Sequence, residues 1–319
     1  MIQYLNVHGI KVKVDCYIKG LIEELKRDYG VFFTKGEKDF DVEVIVEKLA
    51  TNVLDREYFI TLKGNYCLVR KSKIHFLIIN DKDVKFYKGE FRKYFTAVIS
   101  RNLYEKYNAL CFHSATVDIN GKGIVFMGES GSGKTSLALQ FFLNDAKYVS
   151  NDLTFLHKEK NVHILGMPQQ TNLGHGALAW FYKKSPDLFN ENYDEAYKKY
   201  NANQLFEKGN LDKVSIDIAD KEATVLWTDC KYIIFPQPNV GANEPVIELL
   251  NPETLAIKLL AHIIPPFKYG FQTICDEQKY YETIIELIDK IKRDVKGFNF
   301  FWTEDHDMNE RFLRKFINV

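Results

Sequence analysis

The sequence predicts an α/β fold, a core organised around one strand–glycine loop–helix unit, with a separate α+β domain ahead of it. Three observations carry that prediction. An apolar run, Ile124 to Met127, leads straight into the glycine-rich stretch Gly128 to Thr135, and Leu137, Ala138, Phe141 and Phe142 then share one helical face. The first hundred residues instead read as short strands around one amphipathic helix. At 319 residues the chain has room for about two domains. We expect an N-terminal domain over residues 1–105 and a nucleotide-type core over residues 106–319.

In the first domain Ile10, Val12 and Val14 alternate, as do Phe40, Val42, Val44 and Val46, the pattern of half-buried strands. Between them Ile18, Leu21, Ile22, Leu25 and Tyr29 keep a helical period, with Gly30 placed to end the helix. Tyr58–Leu62, Tyr66–Val69, Ile74–Ile78 and Val84–Phe86 read as four more strands, an antiparallel meander. A helix from about Gly89 to Asn108 follows, with Phe91, Phe95, Val98, Ile99 and Leu103 on its apolar face.

In the core, Leu110 to Val117 is an apolar run holding one His and one Ser. Ile119-Asn120-Gly121 is a hairpin turn into the strand before the glycine stretch. Lys147 to Ser150 reads as a strand ending on Asn151-Asp152. The polar and aromatic stretch from Thr171 to Asn210 reads as a solvated helix face. Strands are expected at Val214–Ile218 and at Tyr232–Phe235, the latter stopped by Pro236. Asn251-Pro252-Glu253 caps a helix to about His262. A long amphipathic helix over about Asp276 to Lys292, a strand at Phe298–Trp302 and a terminal helix close the chain.

Composition narrows the function classes. Forty-three basic residues balance forty-three acidic ones, so no global field draws nucleic acid or an anionic membrane. Cys16, Cys67, Cys111, Cys230 and Cys275 are odd in number and never at metal-ligand spacing, which points to reduced thiols. No apolar run approaches membrane-spanning length, and the N-terminus lacks a signal-peptide pattern. The expected location is the cytoplasm.

Gly128-Glu129-Ser130-Gly131-Ser132-Gly133-Lys134-Thr135 fits the phosphate-loop pattern G-x-x-x-x-G-K-[ST]. Glycines let the backbone fold its N–H groups inward around an anion, and the following helix, from Ser136 on, directs its positive end at the same point. Lys134 would reach the β- and γ-phosphates of ATP, and the Thr135 hydroxyl would hold Mg²⁺. At the end of a neighbouring strand, Asp152 is placed to hold Mg²⁺ or to accept a proton from a nucleophile, or else to cap a turn. Lys213 is a candidate second cation on the phosphates, with an ordinary surface lysine as the alternative. His113, on an apolar strand, is either a core histidine or a site residue.

Phe112 to Ile124, the loop, and Val149-Ser150-Asn151-Asp152 together resemble the HPr kinase/phosphorylase family, and more broadly the HPr-kinase-related proteins with a phosphoenolpyruvate-carboxykinase-type nucleotide fold. The resemblance covers about Leu110 to Phe155. It implies an HPr kinase/PEP carboxykinase-type P-loop core and ATP- and Mg²⁺-dependent phosphorylation of a hydroxyl, often a serine on a protein or peptide. It also implies that His113 lies near the transferred phosphoryl group and that Asp152 matches the second of two acidic positions. A homo-oligomer is a further implication. Two departures stand out: the first acidic position is Asn151, and the glycine-rich acidic and arginine segment that holds HPr is not found.

Three functions follow as expectations. The first is a kinase for a serine or threonine on a peptide or protein, such as a ribosomally made peptide, with the N-terminal domain recognising the substrate. The second is a small-molecule hydroxyl kinase. The third is a nucleotide-dependent switch.

Overall fold

The computed structural model describes residues 1–36, 39–48, 58–62, 66–71, 74–79, 84–169, 171–173, 175–186, 214–216, 223–239, 241–265 and 276–318. The chain divides into two compact units, Met1–Ala109 with Pro265–Tyr280, and Leu110–Ile264 with Tyr281–Val319.

The first unit holds β1 (Ile2–Val7), β2 (Ile10–Cys16), α1 (Lys19–Tyr29), β3 (Val42–Lys48), β4 (Tyr58–Leu62), β5 (Tyr66–Lys71), β6 (Ile74–Ile79) and α2 (Val84–Tyr107). The strands form one sheet in the order β1-β2-β3-β6-β5-β4. The expected antiparallel meander is met by β4, β5 and β6, which pair antiparallel in chain order. A helix between β2 and β3 returns the chain in the same direction, so β2 and β3 pair parallel, and β3 pairs parallel with β6. Val84–Phe86 is the first turn of α2 rather than a strand, because three residues are too few to separate a period of two from one of 3.6. Gly30 takes φ −54° and continues the chain into a 3₁₀ turn, so it is not a left-handed stop. Phe95 meets Tyr29 edge to face at 4.8 Å, and Asp28 of α1 is paired with Arg92 of α2 at 3.1 Å.

The second unit runs β7 (Leu110–Phe112), β8 (Ser114–Ile119), β9 (Lys122–Met127), α3 (Lys134–Leu143), β10 (Lys147–Ser150), β11 (Thr154–Lys158), β12 (Val162–Leu165), β13 (Thr171–Leu173), α4 (His175–Lys184), β14 (Val214–Ile216), β15 (Trp227–Pro238), β16 (Val246–Leu249), α5 (Pro252–His262), β17 (Ile263–Ile264), α6 (Glu277–Asp294), β18 (Lys296–Trp302) and α7 (His306–Ile317). The hairpin β8–β9 turns on Asn120 and Gly121, both at positive φ, as a two-residue hairpin requires. The Asn251 side chain accepts from the Thr254 N–H at 2.8 Å and caps α5 as expected.

β15 is the centre of this unit. It pairs parallel with β9 along one edge; on the other edge it meets β12 first and β18 afterwards. Pro236 does not stop it. Beyond the Ile234–Phe126 pair β9 gives way to the glycine loop, so β15 is one-sided at Pro236, a place in a sheet where proline is tolerated.

α3 and α7 cover one face of the sheet, burying Phe126, Leu137, Phe141, Ile234, Phe300 and Leu313 in one cluster. At the C-terminal end of α3, Arg314 donates to the Asn144 carbonyl, pairs with Asp145 at 2.8 Å and lies over the Phe141 ring. Cys16, Cys111 and Cys230 are buried, and none of the three is in a disulfide. Among the described residues no helix is long and apolar enough to cross a membrane.

Leu313→Ala empties a fully buried position between α7 and α3. It should lower the denaturation midpoint of the second unit, by about 2–5 kcal/mol of stability in urea unfolding followed by circular dichroism.

Candidate functional site

The site begins where β9 runs out. Met127 is the last residue paired with β8, and the next six residues, Gly128 to Gly133, form a loop that delivers the chain to α3. Gly131 and Gly133 sit at φ +83° and +100°, which side-chain-bearing residues rarely adopt. At Gly133 there is also no room, because a Cβ would stand 2.9 Å from the indole nitrogen of Trp302. Lys134 is 7% exposed, and its ammonium donates to the carbonyls of Gly128 at 2.7 Å and Glu129 at 2.9 Å. The Ser132 N–H donates to the Glu129 carbonyl at 3.2 Å. Carbonyls on the lysine side leave amides on the other. Among the described residues no acceptor meets the N–H of Ser130, Gly131, Gly133 or Thr135. The Ser132 hydroxyl is likewise buried without a partner among them.

Ser130 and Gly131 border an open cleft of about 530 Å³, lined on one side by Gly128 to Ser132 and on the other by the end of β15 and by Lys258 and His262 of α5. The two α5 residues stand one turn apart. Lys258 lies over the Phe235 ring at 4.9 Å, and the His262 ring is tilted against the same ring at 5.9 Å. The His262 carbonyl accepts from the His113 N–H at 3.1 Å, which brings half-buried His113, at the break between β7 and β8, to the α5 side of the site. Burial lowers the His262 pKa below its ordinary value, and the charges of Lys134, His113 and Lys258 lower it further against the opposing pull of Glu129. His262 is therefore neutral at pH 7. Two ammonium groups and uncommitted amides against one carboxylate are an arrangement that suits an anion.

At the start of α3 the Thr135 hydroxyl donates to the Asn151 side-chain oxygen at 3.0 Å, and Ser136 beside it is half-buried. Asn151 is itself buried at the end of β10. The neighbour of Thr135 is thus the amide and not the carboxylate. Asp152 follows with φ +62°, half-buried, and among the described residues no hydrogen bond or ion pair engages its carboxylate. A hydroxyl and a carboxamide oxygen are hard donors. A magnesium ion that keeps most of its shell from water and phosphate oxygens needs one or two protein oxygens, so this corner fits it. Among the described residues no three acidic, histidine or cysteine side chains gather as a protein-only metal cage. Lys213 lies outside the described residues.

The structure thus ties Lys134 to the loop, Thr135 to Asn151 and His113 to His262, and of these the loop from Gly128 to Ser132 and His262 line the cleft. Lys258, His262 and Trp302 are the residues that sequence reasoning passed over. The signal for the first two was weak: with Leu255 and Leu259 on the core face of α5, Lys258 and His262 fall on the adjacent face.

No family model matches the chain. Over 57 residues it is 35% identical to an HPr kinase/phosphorylase of Lachnoclostridium phytofermentans, a match taking in 18% of this chain. The chain spans 18% of the length of that relative in the match. The HPr(Ser) kinase/phosphatase of Coxiella burnetii superposes over 65% of this chain and 96% of that one, at 12% identity and a TM-score of 0.31. The first of these agrees with the resemblance drawn from the sequence: over 57 residues the chain is similar to an HPr kinase/phosphorylase.

Followed by NMR, the His262 imidazole should titrate below 6.5, and Lys258→Met should move its midpoint upward by removing a positive neighbour. A midpoint unmoved by that substitution would place Lys258 outside the cleft.

Proposed function

We propose that the chain is a cytoplasmic ATP- and magnesium-dependent kinase of the HPr-kinase-related type, transferring a phosphoryl group to a serine or threonine hydroxyl on a peptide or protein. One observation carries the reading: a glycine loop whose amides lack acceptors among the described residues lines a cleft, and the Lys134 ammonium is bonded to the carbonyls of two residues of that lining, Gly128 and Glu129. Phosphoryl transfer asks a protein for positioning and charge stabilisation more than covalent chemistry, and this arrangement supplies both. The loop amides would take the phosphate oxygens, and Lys134, already oriented by two carbonyls, would face the β- and γ-phosphates. Lys258 takes the place as second cation for which Lys213 was the candidate from sequence. Magnesium, when bound, supplies further charge neutralisation; Thr135, with its proton committed to Asn151, and Asp152 would hold it. Asp152 would also take the proton of the acceptor hydroxyl.

Asn151 favours a second reading. With an amide where the related kinases place an acid, the corner keeps one carboxylate, which suits a nucleotide-dependent switch that turns over slowly.

Asp152→Asn separates the two, because asparagine tolerates the left-handed backbone there while losing the charge. A kinase should lose about 10²- to 10⁴-fold in transfer and keep its affinity for ATP, titrated without magnesium, within a few fold, by calorimetry and a labelled-phosphate assay. Transfer that survives the substitution would remove Asp152 from the chemistry. Lys134→Ala should weaken Mg-ATP binding by at least about tenfold, and unchanged affinity would contradict the loop assignment. Incubation with labelled ATP and host lysate, followed by size fractionation, identifies the acceptor class. Label in macromolecules supports a peptide or protein, label in small compounds supports a small-molecule kinase, and none alongside retained ATP binding supports the switch.

A further inference from the structure

The indole N–H of Trp302, the last residue of β18, donates to the carbonyl of Ser132 at 2.7 Å. That carbonyl and the Gly133 N–H belong to one peptide unit. Among the described residues no peptide bond is cis, and in a planar trans peptide the C=O and N–H point in opposite directions. Fixing the carbonyl on the indole therefore fixes the amide pointing away from it. Ser132 lines the cleft and Trp302 does not, and the Gly133 N–H on the far side of this peptide meets no acceptor among the described residues. Gly133, whose φ turns with this peptide, makes it easy to rotate, since a glycine at φ +100° meets no side-chain penalty on either side of the turn. Rotated by half a turn, it would present a carbonyl oxygen to the anion in place of an N–H.

We propose that Trp302 is a positioning residue of the glycine loop, holding the Ser132–Gly133 peptide in the one orientation that turns its N–H to a phosphate oxygen. The proposal rests on the nucleotide reading of the cleft and deepens it. The indole is itself held from two directions. β18 pairs with β15 as far as the Pro238–Trp302 position, and Thr303, the next residue, is bonded by the buried Asn309 side chain through both its N–H, at 2.9 Å, and its carbonyl, at 2.7 Å. The same C-terminal segment then packs α7 on α3, so loop and helix are referenced to one support. The close fit of the indole on Gly133 also explains why position 133 needs glycine on grounds of space as well as φ.

Trp302→Phe keeps an aromatic ring and removes the donor. Wild type and variant would be titrated with Mg-ATP, with inorganic tripolyphosphate and with adenosine by calorimetry. The Gly133 amide would be followed by NMR in the tripolyphosphate titrations. Loss of one hydrogen bond should weaken both polyphosphates about five- to tenfold in the variant, leave adenosine unaffected, and reduce the shift of the Gly133 amide on binding. A merely structural role would lower the unfolding midpoint and weaken all three ligands alike, which would overturn the proposal. So would equal tripolyphosphate affinity and an equal Gly133 shift in the two proteins. Should Trp302→Phe fail to fold, hydrogen exchange of the indole in the wild type decides: slowed exchange that slows further with tripolyphosphate supports the clamp, and rapid exchange overturns it. A wild type that binds neither polyphosphate overturns the nucleotide reading and this proposal with it, whereas a binding wild type with an unaffected variant overturns this proposal alone.

Discussion

A buried ammonium group holds the glycine loop in shape. Lys134 enters from the first turn of α3 and reaches back to the carbonyls of Gly128 and Glu129, so the helix start and the loop start are tied across six residues. An ammonium removed from water is costly unless its protons are bonded, and here two carbonyls meet it. The tie also sorts the loop by polarity. Carbonyls collect around the lysine, and the amides are left for whatever enters the cleft. The outward-facing amides of the loop are thus a by-product of how the protein solvates one cation of its own.

The rest of the second unit supplies a frame for that loop. β15 carries β9 on one edge and β18 on the other, so the strand that leads into the loop and the strand that ends on Trp302 share one neighbour and one register. Pro236 sits where this frame opens, at the lip of the cleft. The second wall, α5, is capped by Asn251 and begins with Pro252, which sets where its turns fall and hence that Lys258 and His262 face inward together.

Much of this was legible in residue order, and the reasons differ by element. The loop and its flanks were readable because chemistry and backbone agree there: glycines, lysine and threonine follow an apolar strand and precede an amphipathic helix. The Asn120-Gly121 turn and the Asn251 cap were readable because each is a local signal acting over two to four residues. Val84–Phe86 was misread because its three residues belong to a helix whose period shows only further along, at Phe91, Phe95 and Val98. Pro236 was misread because its tolerance depends on which neighbouring strand has already ended, a fact of tertiary pairing. Parallel pairing of β2 with β3 needed the crossover helix to be counted as a reversal. Lys258, His262 and Trp302 join the loop from more than a hundred residues downstream, and no local pattern marks a side chain that acts by meeting a distant carbonyl or ring. Lys213 stays outside the described residues.

Left-handed backbone at Asp152 narrows what can replace it over generations. Most side chains at such a position meet the following carbonyl and are disfavoured by roughly 1–2 kcal/mol, whereas aspartate, asparagine and glycine are at ease there. Drift is therefore channelled toward a small set of residues that preserve the turn, and only one of them carries charge. A lineage that lost its chemistry at this corner would pass most readily through asparagine and keep the outline of an active enzyme. Shape alone would then be a poor guide to which descendants still work, and the identity of a single atom, oxygen or nitrogen, would tell them apart.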